Sequence, residues 1–257
     1  MSRPVCIDLI IPCDVLLELI LVPSGICQRL CSKNGSNEPV VKEGNISVKS
    51  FLLGKYPITL KQWDVVMGQA NAQINESSFF DWQFRETPQS LWNCTPVLGV
   101  NAEKAAEFCV QLSRIMQTKF ELPTEDQWEF ACRCGKDNPF PIGDPKRFPE
   151  RYYGTRRDRA SGFIEAGPLP GTIPPNEFGL IGMQGYIREW CISTADGENQ
   201  KDNSTFILCG SSSNSNYGEP SPPWYRGGSN KRGFDKAGGY GFRVKCDVPL
   251  SVGSSNK

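Results

Sequence analysis

A chain of 257 residues with 39% hydrophobic and 22% charged side chains has enough apolar material to bury a substantial core. Its 28 basic and 28 acidic residues cancel without any block of like charge, which argues against a nucleic-acid footprint and against an acidic multi-metal cluster. Histidine is absent, and with it go histidine general bases, Ser–His and Cys–His nucleophile pairs, and any metal centre that needs imidazole.

The first stretch, MSRPVCIDLIIPCDVLLELILV, is apolar but broken by Asp8, Asp14 and Glu18. No basic start leads into a clean apolar run, so it reads neither as a signal peptide nor as a spanning helix. Residues 5–22 are expected to form one or two strands, with a short helix from Asp14 as the alternative. The cysteines, 11 in all, are scattered and odd in number, which fits a cytosolic protein whose thiols stay reduced and act as small hydrophobes. Cys27 with Cys31, and Cys132 with Cys134, are the pairs to weigh for zinc; without two C-x-x-C-like pairs or added histidines, buried thiols are the favoured reading. Residues 32–44 are polar, with Asn34-Gly35 a turn signal, and are expected to be a loop. Residues 46–58 alternate as one strand, with Val48, Phe51 and Leu53 apolar. Thr59 then caps a helix, TLKQWDVVMGQ, with Leu60, Trp63, Val66 and Met67 on one face.

Residues 70–97 are irregular and aromatic-rich. Asn101 caps NAEKAAEFCVQLSRIMQT, where Ala105, Phe108, Cys109, Leu112, Ile115 and Met116 recur at helical spacing as a core-facing stripe. The strand-like KFEL follows. Thr124 with Gln127 three residues on forms a capping box that starts another helix, with Trp128, Ala131 and Cys132 on its apolar face. Residues 136–175 are loop-dominated and rich in proline. The run 176–190 sets Gly179, Gly182 and Gly185 among apolar residues and ends in Glu189-Trp190. Strands are expected over 205–209 and 240–248. No repeat and no linker stands out, so one domain over 1–257 is expected, with 1–20 an N-terminal strand or extension and 249–257 a flexible tail.

FLLGKYPITLKQWDVVMG, NAEKAAEFCVQLS, LPTEDQWEFACRCG, NEFGLIGMQGYIREW and GFRV, in this order, resemble the formylglycine-generating-enzyme (sulfatase-modifying factor) family over 21–248. The match is specific because LPTE-x-x-WE and GL-x-x-M-x-G-x-x-x-EW co-occur about fifty residues apart. The resemblance implies an α+β domain of C-type lectin-like fold, with two main helices, small antiparallel sheets and much ordered loop.

Membership of such a fold leaves function open, and the departures carry the argument. In the oxidase members a copper-binding cysteine pair follows a GGS-type turn; here the turn reads CGSS (209–212) and the corresponding positions are Ser215 and Pro220. With no cysteine between Cys209 and Cys246, the resemblance implies that nucleophile and copper ligands are missing, so no enzyme activity is expected. Related non-haem iron sulfoxide synthases need histidines, which are absent. The family's calcium side-chain ligands fall on Gly182 and Glu189, so one of two side-chain oxygens is lost although Gly185 and Ile187 keep carbonyls. Glu189 is therefore a weak calcium candidate and reads better as a buried structural carboxylate; no cofactor is otherwise expected.

Residues 213–240, SNSNYGEPSPPWYRGGSNKRGFDKAGGY, read by composition as a polar surface loop. The resemblance gives the slot more weight. It carries the active-site segment in the oxidases and the diversified ligand contacts in the variable proteins of diversity-generating retroelements, the branch this chain most resembles. Adenine-directed rewriting of asparagine codons reaches Asn, Asp, Ser, Gly, Tyr, Phe, Arg and Pro, an overlap with this segment that leaves Trp224 and the lysines unexplained. Aromatic anchors with adaptable polar neighbours are how antibody loops bind. Tyr217, Trp224, Tyr225, Phe234 and Tyr240 are the expected anchors, with Asn214, Asn216, Arg226, Asn230 and Arg232 as polar contacts; Tyr240, beside the strand, is the one most apt to be structural instead. The expectation is a non-catalytic cytoplasmic module for a protein or peptide ligand, with no nucleic-acid or membrane partner. The alternatives are an oxidase relative using Cys191, Cys209 or Cys246, with Cys209 and Cys246 on adjacent strands, and a regulatory domain that pairs with an effector chain.

Overall fold

The computed structural model describes residues 4–32, 39–68, 85, 87–138, 140, 143, 173–184, 187–194, 206–210, 226–227 and 240–248. Strand β1 (Cys6–Ile11) and strand β2 (Val15–Val22) form an antiparallel hairpin over a one-turn 3-10 segment, Pro12–Asp14. The helix considered from Asp14 does not form. Cys13 and Asp14 take φ of 60° and 56°, and Val15, Leu17 and Leu19 then alternate into the core with strand period.

Strand β3 (Gly25–Ser32) pairs with β4 (Pro39–Val48) as a separate two-stranded sheet. The loop expected over 32–44 is thus a strand from Pro39 on, because Val40 and Val41 find cross-strand partners in Cys31 and Leu30. The single strand expected over 46–58 is two pieces. β4 ends at Val48, and β5 (Phe51–Gly54) joins β2 in another sheet.

Helix α1 (Leu60–Met67) starts at a complete capping box between Thr59 and Gln62, and buries Leu60, Trp63 and Met67. Helix α2 (Ala102–Met116) is capped by Asn101, whose side chain accepts from the Lys104 N–H at 2.8 Å. Its stripe of Ala105, Phe108, Cys109 and Leu112 is buried and Met116 packs against the same core, but Ile115 is 40% exposed. β6 (Phe120–Glu121) leads to helix α3 (Glu125–Cys132), which opens on a second complete capping box, Thr124 with Gln127. Among the described residues these three helices each open at the cap expected from the sequence.

The remaining strands are β7 (Arg188–Ile192), β8 (Phe206–Cys209), β9 (Arg226–Gly227), β10 (Tyr240–Gly241) and β11 (Lys245–Asp247). The strand expected over 240–248 breaks at 242–244, and its two ends lie in different sheets. One sheet runs β1-β2-β5-β11-β6 and the other β10-β7-β8-β9. Pairing is antiparallel except for β10 with β7, which is parallel. Two cores result. One joins α1, α2 and the inner face of the larger sheet; the other lies around α3, β3, β4 and β7. The arrangement is α+β, as expected from the sequence.

Candidate functional site

The segment from 211 to 239 is tied to the smaller sheet at three points. It leaves β8 at Gly210, touches the sheet again where Gly227 and Arg226 pair with Leu208 and Cys209, and returns through β10 at the opposite edge. Close packing dictates glycine at both ends. Gly210 has φ +80°, and a Cβ there would sit 3.1 Å from two ring atoms of Trp128. A Cβ on Gly241 would lie 2.7 Å from Ile187 Cδ1 and 2.9 Å from the Val97 carbonyl oxygen. The Gly99 N–H also donates to the Tyr240 carbonyl at 2.9 Å.

Beneath these attachment points lies a buried polar hub. Glu189 and Arg243 are fully buried, and Arg243 Nε lies 3.0 Å from both carboxylate oxygens of Glu189. Trp128 Nε1 donates to Glu189 Oε2 at 2.8 Å. The rest of the guanidinium donates to the carbonyls of Gly54 at 3.0 Å and Lys55 at 2.6 Å, and to that of Ile181. One ion pair therefore fastens β7, α3, β5 and the 180s run to the residue that follows Phe242. Burial pushes the Glu189 carboxyl up, against the pull of the guanidinium and the indole N–H. This is the structural carboxylate favoured from the sequence. As a calcium site the set does not fit: both Glu189 oxygens already accept bonds, and Gly182 brings no side-chain oxygen.

A second set of contacts sets the position of α3. Buried Arg133 donates to Glu129 Oε1 at 2.6 Å and to the Gln28 carbonyl at 2.7 Å, and the Leu30 N–H donates to Glu129 Oε1 at 3.2 Å. Asn176 closes the C-terminal end of α3, donating to the Ala131 carbonyl at 2.9 Å while its Oδ1 accepts from the N–H groups of Phe178 and Leu180. None of Glu129, Arg133, Asn176 and Arg243 was singled out in the sequence. The signal that could have found them is a charged or amide side chain set among the apolar residues of LPTEDQWEFACR, NEFGL and GFRV.

Of the expected ligand contacts, Asn214, Asn216, Tyr217, Trp224, Tyr225, Asn230, Arg232 and Phe234 lie outside the described residues. Arg226 is described through its backbone, at the outer edge of the smaller sheet. Tyr240 belongs to the core: it is 9% exposed and its ring centroid lies 6.1 Å from that of Trp190, so it acts as an anchor of the segment rather than a ligand contact.

The buried thiols behave as apolar filler. Burial pushes Cys27 up to about 11 and raises Cys132 as well, the opposite of what a nucleophile or metal ligand needs. Cys132 and Cys134 are both buried and free. Cys209 lies in β8 and Cys246 in β11, so the expected adjacency of their strands does not occur; the two belong to different sheets.

Residues 14–248 match the Sulfatase-modifying factor enzyme 1-like domain family. The chain is 26% identical over 209 residues to the Inactive C-alpha-formylglycine-generating enzyme 2 of Mus musculus, covering 62% of this chain and 65% of that protein. It is 29% identical over 122 residues to the mouse Formylglycine-generating enzyme, covering 43% and 31%. It thus spans less than two thirds of the length of these curated relatives. Among solved structures, it matches Treponema denticola variable protein 1 with a TM-score of 0.70 at 20% identity, covering 96% of this chain and 100% of the other. PvdO from Pseudomonas aeruginosa matches with a TM-score of 0.69 at 17% identity, over 96% and 100%. At these identities the structures share the fold. No described helix is long and apolar enough to cross a membrane.

Proposed function

The chain belongs to the sulfatase-modifying factor enzyme 1-like family, and from that premise we propose that it is a non-catalytic member which recognises a protein or peptide through residues 213–240. The observation that carries this reading is the mooring of the segment. It is held at Gly210, at 226–227 and at 240–241 by backbone pairing and close packing. A scaffold of this kind lets the intervening sequence change while the ends stay put, which is the physical requirement for a variable binding loop.

The family's oxidase chemistry is unsupported here. Ser215 and Pro220 stand where the oxidases carry their copper-binding cysteines, and histidine is absent. The likeness to a relative named as inactive and to a protein named as variable agrees with that. Trp224 and Tyr225 are the strongest candidate anchors, because large amphipathic rings give contact area at low entropy cost. We further assign the chain to the diversity-generating type, acting inside the cell.

The test is population sequencing of the 3′ end of the gene. The expected result is substitution at adenine-containing codons within 213–240, with the GFRV run constant. An invariant segment across isolates overturns the diversified assignment. Oxygen consumption with a cysteine-containing peptide and copper(I) would overturn the non-catalytic one.

A further inference from the structure

We propose that the outer edge of β1 is a docking edge, on which an extended segment of another polypeptide adds a sixth strand to the larger sheet. The segment it fits alternates apolar residues with a lysine or arginine set over Asp8. The surface is separate from residues 213–240 and does not rest on their role.

Three observations converge. First, β1 ends the sheet order β1-β2-β5-β11-β6, and among the described residues no strand pairs with its outer side. A row of main-chain donors and acceptors there is a template for another strand. Natural edges are usually blunted by lysine, proline or a bulge, but CIDLII contains none of the first two and its six residues pair with β2 in unbroken register.

Second, the face of the hairpin that carries Asp8 and Glu18 ends in an open apolar pair, Ile10 and Leu16. These residues are cross-strand partners, 59% and 43% exposed. On the other face Ile7 and Leu9 are only half-buried against the core, so an added strand would complete their cover as well.

Third, Asp8 lies directly opposite Glu18, a like-charge pairing that a sheet tolerates poorly. Glu18 is answered by Lys55 Nζ at 2.7 Å. Asp8 is exposed, and its bond among the described residues comes from the Cys6 thiol at 3.5 Å, a weak donor. The edge therefore presents one carboxylate that lacks a cation there, two residues from an open isoleucine.

The charge pattern also selects the occupant. A second copy of this chain would offer its own β1, and neither β1 nor β2 contains a basic residue, so self-pairing brings no cation to Asp8. A partner strand with Lys or Arg over Asp8, and Val or Ile two residues away over Ile10, meets both needs.

The test uses the full chain and two capped heptapeptides, Thr-Ile-Val-Arg-Val-Ile-Thr and the same sequence with Glu for Arg, read by fluorescence anisotropy and amide hydrogen exchange. The Arg peptide should bind about tenfold tighter than the Glu peptide and slow exchange at amides of β1. Asp8→Lys should invert that preference, and Ile10→Lys should weaken both peptides; neither should lower the unfolding temperature, because both positions are exposed and Asp8→Lys removes the like-charge pair with Glu18. Equal binding of the two peptides, an unchanged order in Asp8→Lys, or no protection in β1 would overturn the proposal. So would a concentration-dependent dimer that Ile10→Lys dissolves, since the occupant would then be a second copy.

Discussion

Adjacent residues in the 242–244 crossing stretch are held by opposite physics. Phe242 enters an aromatic triad, its ring 5.3 Å from Phe108 and 6.1 Å from Trp63, with Trp63 stacked on Phe108 at 5.6 Å. Arg243, next in the chain, enters the polar hub with Glu189 and Trp128. The first cluster is bound by burial and shape, and degrades gradually as volume is removed. The second depends on every partner being present, because losing one strands a buried charge. The attachment of β10 and β11 on either side, and with it the return of residues 213–240 to the sheet, leans on both.

The largest effect is expected at Arg243. Arg243→Met should cost about 3–5 kcal/mol in chemical denaturation, because Glu189 keeps its burial and loses its cation. The double change Glu189→Gln with Arg243→Met should recover most of that loss, a coupling that a double-mutant cycle measures directly. Leu112→Ala, in the apolar cluster, should cost about 2–5 kcal/mol with no rescue by a second change, since a cavity has no partner to remove.

Next in size is Gly241→Ala, where the new methyl meets the Val97 carbonyl, a backbone group that cannot swing away. A loss of about 1–3 kcal/mol is expected by the same denaturation measurement. Thr124→Ala removes one half of a capping box and should cost about 1 kcal/mol.

The smallest effect is in pH. Burial would raise the Glu121 carboxyl, but bonds from Lys119 and Lys245 outweigh it and hold it below its usual range. Its folded pKa is depressed, so its contribution is present above the ordinary carboxylate value and fades as pH falls through the folded one. Glu121→Gln should flatten that acid limb in pH-dependent thermal unfolding. Glu189, whose carboxyl is raised, contributes with the opposite sign, its share being lost as pH rises through its folded value.

The apolar side of this comparison could be read in the chain. Helical spacing identified Trp63, Phe108 and Leu112, and cap chemistry at Thr59, Asn101 and Thr124 placed the helix starts, because both signals are local. The polar side was harder. Glu189 was identified as a structural carboxylate, but Arg243 lies 54 residues away, and nothing in GFRV says that its arginine is the partner. Strand boundaries failed for a related reason. The breaks after Val48 and after Gly241 occur where the chain changes sheets, a matter of long-range pairing with no local mark. Tyr240 was partly legible at the site: its place beside a strand marked it as the aromatic most apt to be structural, and its packing on Trp190 supplies the contact that the sequence could not name.

The mooring of the segment implies that the scaffold fixes its ends whatever lies between. Its most direct test is thermal unfolding of a chain in which residues 211–225 and 228–239 are scrambled while Gly210, Arg226, Gly227, Tyr240 and Gly241 are kept. A cooperative transition within a few degrees of the original is expected. A chain that no longer folds cooperatively would contradict it, because the segment would then be part of what holds the fold together.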